Sequence, residues 1–208
     1  MQLFTRQLMT TGSPTAMGWA MEMRAMASDT MGTEIGLWSA GFGMPIGSLA
    51  FTARVEGIAD LVEKAGPLGD DTEYAAKLAE GEAHVTGPPE DSLATPLHGD
   101  LGDPPPVGSY AVVTSAVIAN GRYVDAVGWG IDVAEHVTSL TDMPVMLLLQ
   151  EYGTFGQLTW IGGAADAAGV DASAAATNGD GDYIAKLSAA GELFVPGSGN
   201  RVLVTRIA

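Results

Sequence analysis

The chain has no cysteine, which excludes disulfides, thiolate metal sites and cysteine nucleophiles. Cations are scarce: nine Lys and Arg stand against 25 Asp and Glu in 208 residues, for a formal net charge of −16. Without a basic cluster there is nothing to hold a phosphate backbone or an anionic bilayer, so no nucleic acid and no membrane is expected as a partner. Long apolar runs are missing too. The longest, such as Val145-Met146-Leu147-Leu148-Leu149, fall far short of the roughly 20 residues that cross a bilayer. The opening Met1-Gln2-Leu3-Phe4-Thr5-Arg6 lacks the basic and apolar regions of a signal peptide, and a cytoplasmic location is the expectation. Also absent are G-x-S-x-G, the P-loop, the G-x-G-x-x-G fingerprint and H-E-x-x-H, so hydrolase, kinase and nicotinamide chemistry have no support and no cofactor is expected.

What is present is enough for a packed core. Hydrophobic residues make up 47% and charged residues 16%, a composition that argues against disorder. The chain also repeats itself. Asp71-Thr-Glu-Tyr74-Ala-Ala-Lys77-Leu78 matches Asp180-Gly-Asp-Tyr183-Ile-Ala-Lys186-Leu187 at an offset of 109 residues. Gly12 and Gly121, and Gly47 and Gly156, share that offset. Gly18-Trp19 matches Gly128-Trp129, and Phe42-Gly43 matches Tyr152-Gly153, at 110. Five matches in one order along the chain indicate a tandem duplication.

Each copy carries the same pattern of elements. Residues 2–10 and 109–119 are rich in β-branched and apolar types and read as strands. Residues 14–30 and 122–140 have helical spacing, the first opened by Ser13-Pro14. Strands are expected at 34–42 and 48–55, and again at 144–152 and 157–162, joined by Gly-bearing turns of hairpin length. Helical stretches follow at 57–65 and 71–80, then 164–175 and 180–189, and last strands fit 92–98 and 200–207. The order is that of the ferredoxin-like β-α-β-β-α-β unit. The fold class is therefore α+β, with one repeat over 1–99, a stiff Pro/Gly/Asp linker over 100–108, and a second repeat over 109–208.

Such a unit, with a long first helix and a Gly-turn hairpin, resembles the dimeric α+β barrel superfamily. The run Ile35-Gly-Leu-Trp38, Gly43 and Gly47-Ser-Leu-Ala-Phe51 resembles, within it, the NIPSNAP proteins. The resemblance implies two ferredoxin-like sheets packed against each other as an intramolecular barrel. It also implies a small apolar molecule as ligand, and as activities the cofactor-independent monooxygenases, cyclases and isomerases of the superfamily. Tandem members include haem enzymes, so a haem-binding barrel is a further alternative.

Three histidines are available, His84, His98 and His136. His136 lies seven residues after Trp129 on the apolar stripe of its helix, where the first copy has Met26. It is the candidate acid/base, against the plainer reading of a core histidine bonded to a backbone carbonyl. Trp129, Gln150, Tyr152 and Trp160 are the candidate substrate contacts. Asn178, Asp180 and Asp182 alternate like a calcium loop, but Ala189 stands where the twelfth-position acid belongs, so a helix start and no metal is expected. Eight of the ten methionines lie in the first 44 residues. They suit a plastic core, a pocket wall or an interface, the last supporting a non-catalytic assembly protein and a homo-oligomer as the rival class.

Overall fold

The computed structural model describes residues 1–141 and 143–208. Strand β1 (Gln2–Met9), helix α1 (Pro14–Met31), strands β2 (Ile35–Phe42) and β3 (Ser48–Val55), helices α2 (Ile58–Ala65) and α3 (Thr72–Glu80) and strand β4 (Glu90–His98) come first. The same order follows in β5 (Tyr110–Val117), α4 (Tyr123–Thr141), β6 (Val145–Tyr152), β7 (Gln157–Ala164), α5 (Ala167–Gly179), α6 (Gly181–Ala189) and β8 (Asn200–Arg206). Two short 3-10 turns, Gly66–Gly69 and Gly81–Ala83, flank α3.

Local chemistry sets the boundaries. Ser13 Oγ accepts from the Ala16 amide at 3.2 Å, Pro14 opens α1, and Gly32 ends it in the left-handed region. Asp71 caps α3 by accepting from the Glu73 and Tyr74 amides, and Asp180 caps α6 by accepting from Tyr183 N. The matched aspartates of the two segments are thus helix caps. The β2–β3 turn needs glycine: Gly47 has φ of 95°, and a Cβ there would lie 2.4 Å from the Thr10 carbonyl oxygen.

All eight strands join one closed antiparallel barrel in the order β1-β3-β2-β8-β5-β7-β6-β4. Two seams close it. Strand β2 pairs with β8 (Trp38 opposite Arg206), and β4 pairs with β6 (Ala94 opposite Gln150). The halves are therefore joined by ladder hydrogen bonds along both edges as well as by packing of their inner faces.

The helices lie outside the barrel, so a strand such as β6 is covered on both faces. On β6, Val145, Leu147 and Leu149 pack with Ala126 and Ala134 of α4, while Met146 and Leu148 meet Leu3, Ala94 and Ile161 inside the barrel. That two-sided burial explains the continuous apolar run. The 100–108 segment is more than a spacer. Leu101, 5% exposed, plugs the interior cluster, and the segment's carbonyls accept from Arg54 (Leu101 O, 2.8 Å) and Arg206 (Pro105 O).

Candidate functional site

Helices α1, α2 and α3 do not close tightly on the outer face of β1 and β3. They leave a chamber of about 510 Å³. Its wall from α1 is Trp19, Met23, Ala27 and Met31; its floor is Phe4, Leu8, Phe51 and Ala53; Leu61, Val62, Leu68, Tyr74 and Leu78 cover it. The covering helices contribute no buried residue, and Val62 and Leu78 are exposed at the rim. Two of the α1 methionines thus line a cavity, and only Met21 of that helix is an exposed large apolar residue.

The polar groups of the chamber are few. Arg6 on β1 and Asp91 on β4 sit opposite each other and form a bidentate pair, with Nε–Oδ1 and Nη2–Oδ2 both 2.7 Å. That hydrogen bonding holds the Arg6 guanidinium above its ordinary pKa despite partial burial. Tyr74 reaches the same region from α3. Burial pushes its phenol pKa up, with Arg6 pulling the other way, so the hydroxyl stays protonated near neutrality. Trp19 is fixed at the chamber wall by its indole N–H, which donates to Lys77 O at 2.8 Å.

A second chamber lies in the corresponding place between α4, α5, α6 and β5, β7, β8, but it is only about 190 Å³. Aromatic rings narrow it. Trp129, Trp160 and Phe194 meet edge to face, with centroids 5.4 to 6.0 Å apart. The Thr10–Val85 bridge in the first half corresponds to Ile118–Phe194 in the second, so Phe194 stands where the larger chamber has Val85. The floor differs as well. Arg6 is flanked in the ladder by Phe51 and Asp91, whereas Thr114 is flanked by Trp160 and Arg201.

Trp129 and Trp160 both line this smaller chamber. His136 does not. Its Nε2 lies 2.8 Å from Asp180 Oδ1, tying α4 to the cap of α6, and this contact, more than any other, lowers the Asp180 pKa. Gln150 and Tyr152 lie toward the far end of β6, outside both linings. Gln150 Nε2 donates to Tyr152 O at 3.1 Å, and Tyr152 is 60% exposed. Neither lining contains a histidine, which gives no support to His136 as an axial ligand for haem. No group of three or more His, Asp or Glu that could hold a metal occurs among the described residues, and no described helix is long and apolar enough to cross a membrane.

Sequence reasoning missed Arg6 and Asp91. The signal was an arginine inside an apolar strand, but its partner is 85 residues away and only strand pairing brings the two together.

No family model matches the sequence, and no curated protein matches it. Solved structures match in shape. A candidate monooxygenase from Fusobacterium nucleatum superposes with a TM-score of 0.69 at 9% identity, over 100% of this chain and 92% of that one. An anthrone oxidase-like protein gives 0.69 at 13% identity with the same coverage. A candidate chlorite dismutase gives 0.53 at 11% identity, over 100% of this chain and 96% of that one. The fold is that of the dimeric α+β barrel proteins.

Proposed function

We propose that the chain is a small-molecule-binding barrel made by tandem duplication of a ferredoxin-like unit, and that its working site is the 510 Å³ chamber of the first half. The duplication reading draws support from a three-residue device found twice. Trp19 donates to Lys77 O while Lys77 Nζ pairs with Glu22, and Trp129 donates to Lys186 O while Lys186 Nζ pairs with Asp132.

The observation that carries the functional reading is the chamber itself. Its volume lies within the range of ligand sites, about 300–1,000 Å³, and its surface is aromatic and aliphatic with a few converging polar groups. Those groups favour a neutral ligand. Arg6 is already matched by Asp91, and Glu82 stands at the rim, so an incoming carboxylate meets no free cation. The protonated Tyr74 hydroxyl makes no hydrogen bond among the described residues and can donate to a carbonyl or phenol oxygen. The ligand class is therefore an apolar, multi-ring or long-chain molecule with an oxygen at one end.

If the bound molecule is turned over, the Tyr74 hydroxyl is the proton donor placed against it. The likeness to a candidate monooxygenase and an anthrone oxidase-like protein supports the barrel, and only the barrel, at such low identity. The test is a titration of the full chain with Nile red, a neutral apolar fluorophore. Saturable, blue-shifted binding that Val85→Phe abolishes supports the site. Binding that ignores the substitution, or no binding, removes it.

A further inference from the structure

The smaller chamber carries a charge design opposite to that of the larger one. Eight of the nine Lys and Arg side chains have a partner within the chain. Arg6, Lys64, Lys77, Arg122, Lys186 and Arg206 pair with carboxylates. Arg24 and Arg54 donate to the carbonyls of Ile35 and Leu101. Among the described residues Arg201 alone makes neither an ion pair nor a side-chain hydrogen bond, in a chain whose acids outnumber its bases by 25 to 9. It is exposed and lines the smaller chamber, whose lining also holds the aromatic cluster.

We propose that this chamber is a second, separate binding site, for a small aromatic carboxylate. Arg201 would hold the carboxylate, and the rings of Trp129, Trp160 and Phe194 would pack around an aromatic group. Thr114 stands directly across the β5–β8 ladder from Arg201 and its hydroxyl is not engaged elsewhere among the described residues. Directly opposed residues place their Cβ atoms about 5 Å apart, close enough for a guanidinium and a hydroxyl to share one carboxylate. The size suits the class: about 190 Å³ is room for a single ring with a short acid chain. The first half cannot do the same, because Asp91 occupies the position of Arg201 and neutralises Arg6.

The site does not depend on the larger chamber, and its test does not either. The full chain is titrated with 3-phenylpropionate and with its neutral analogue 3-phenylpropanol, following tryptophan fluorescence and heat. The proposal expects saturable binding of the acid with a dissociation constant below about 1 mM, and at least about tenfold weaker binding of the alcohol. Arg201→Gln abolishes the preference for the acid; Arg201→Lys, which keeps the charge but loses the fork, retains part of it. Equal binding of acid and alcohol, no binding of either, or an acid preference that survives Arg201→Gln overturns the proposal. Val85→Phe, which fills the other chamber, leaves the acid titration unchanged; if it removes the acid as well, the two sites are one and the proposal fails.

Discussion

Trp19 donates its indole N–H to the carbonyl of Lys77 at 2.8 Å, and Trp129 makes the same bond to Lys186 at 3.0 Å. Each bond ties the long first helix of a half to the helix that covers its chamber, across more than 50 residues of sequence. Replacing either indole with phenyl keeps an aromatic ring but leaves a carbonyl without its donor. Trp19→Phe and Trp129→Phe are each expected to destabilise the fold by about 1–3 kcal/mol, read from urea midpoints at constant slope. Unaltered midpoints would mean that water replaces the indole donor at no cost.

Val85 and Phe194 are expected to set chamber size. Val85→Phe puts a ring into the space beside Trp19, as Phe194 does beside Trp129. Because the larger chamber has unfilled volume, the substitution should leave stability unchanged or raise it by about 1 kcal/mol, where overpacking of a full core would cost about 1–3. Thermal melts of the purified variant give the answer. A marked loss of stability would show that the helical cover collapses onto the sheet in solution and leaves no cavity there.

How much of this could be read beforehand differs between fold and site. The strands of the Gly-turn hairpins and all the helices fall within a few residues of their expected ranges, because each rests on a local cause. Ser13 and Pro14 start α1, and the glycines of the turns permit their φ values. The packing of the two sheets as a barrel follows from the superfamily resemblance, but the ladder pairing of β2 with β8 and of β4 with β6 joins residues far apart in sequence and has no local signal. The site was less legible. The difference between Met26 and His136 pointed to chemistry in the second half, but the structure engages His136 with a helix cap. The differences that shape the chambers are Val85 against Phe194, and Arg6 with Asp91 against Thr114 with Arg201. They become visible only once the strand register places these residues side by side.

The His136–Asp180 contact makes a pH prediction. Hydrogen bonds from His136 and from the Tyr183 amide hold the Asp180 carboxyl below the usual carboxylate range. A carboxylate depressed in the folded state favours folding above its unfolded pKa, about 4, and that contribution is lost as pH falls through the lower folded value. Asp180→Asn keeps a good helix cap but has no proton to take up. Its stability should therefore fall less steeply than that of the parent between about pH 4 and pH 2. Urea titrations across that range compare the slopes, and parallel slopes would show that the carboxylate interacts equally in the unfolded chain.

The two seams predict how a half-chain behaves. Residues 1–99 contain β1 to β4 in the order β4-β1-β3-β2, with β2 and β4 at the edges. In the whole chain those edges are covered by β8 and β6, and the inner face meets the other half around Leu3, Ala94, Leu148 and Leu101. The fragment therefore has two open edges, each a template for another strand, and an uncovered apolar face. Leu101 lies beyond the cut and cannot plug that face. The fragment is expected to form dimers by pairing β2 with β4 of another copy, restoring a closed barrel, or to aggregate when pairing is incomplete. Light scattering on the fragment separates these outcomes from a third, a stable monomer. The intact chain should melt in one transition, since neither half closes its edges alone. A monomeric fragment with a complete melt of its own would show that each half folds without the seams, and that the ladder between β2 and β8 is a consequence of folding and not a requirement for it.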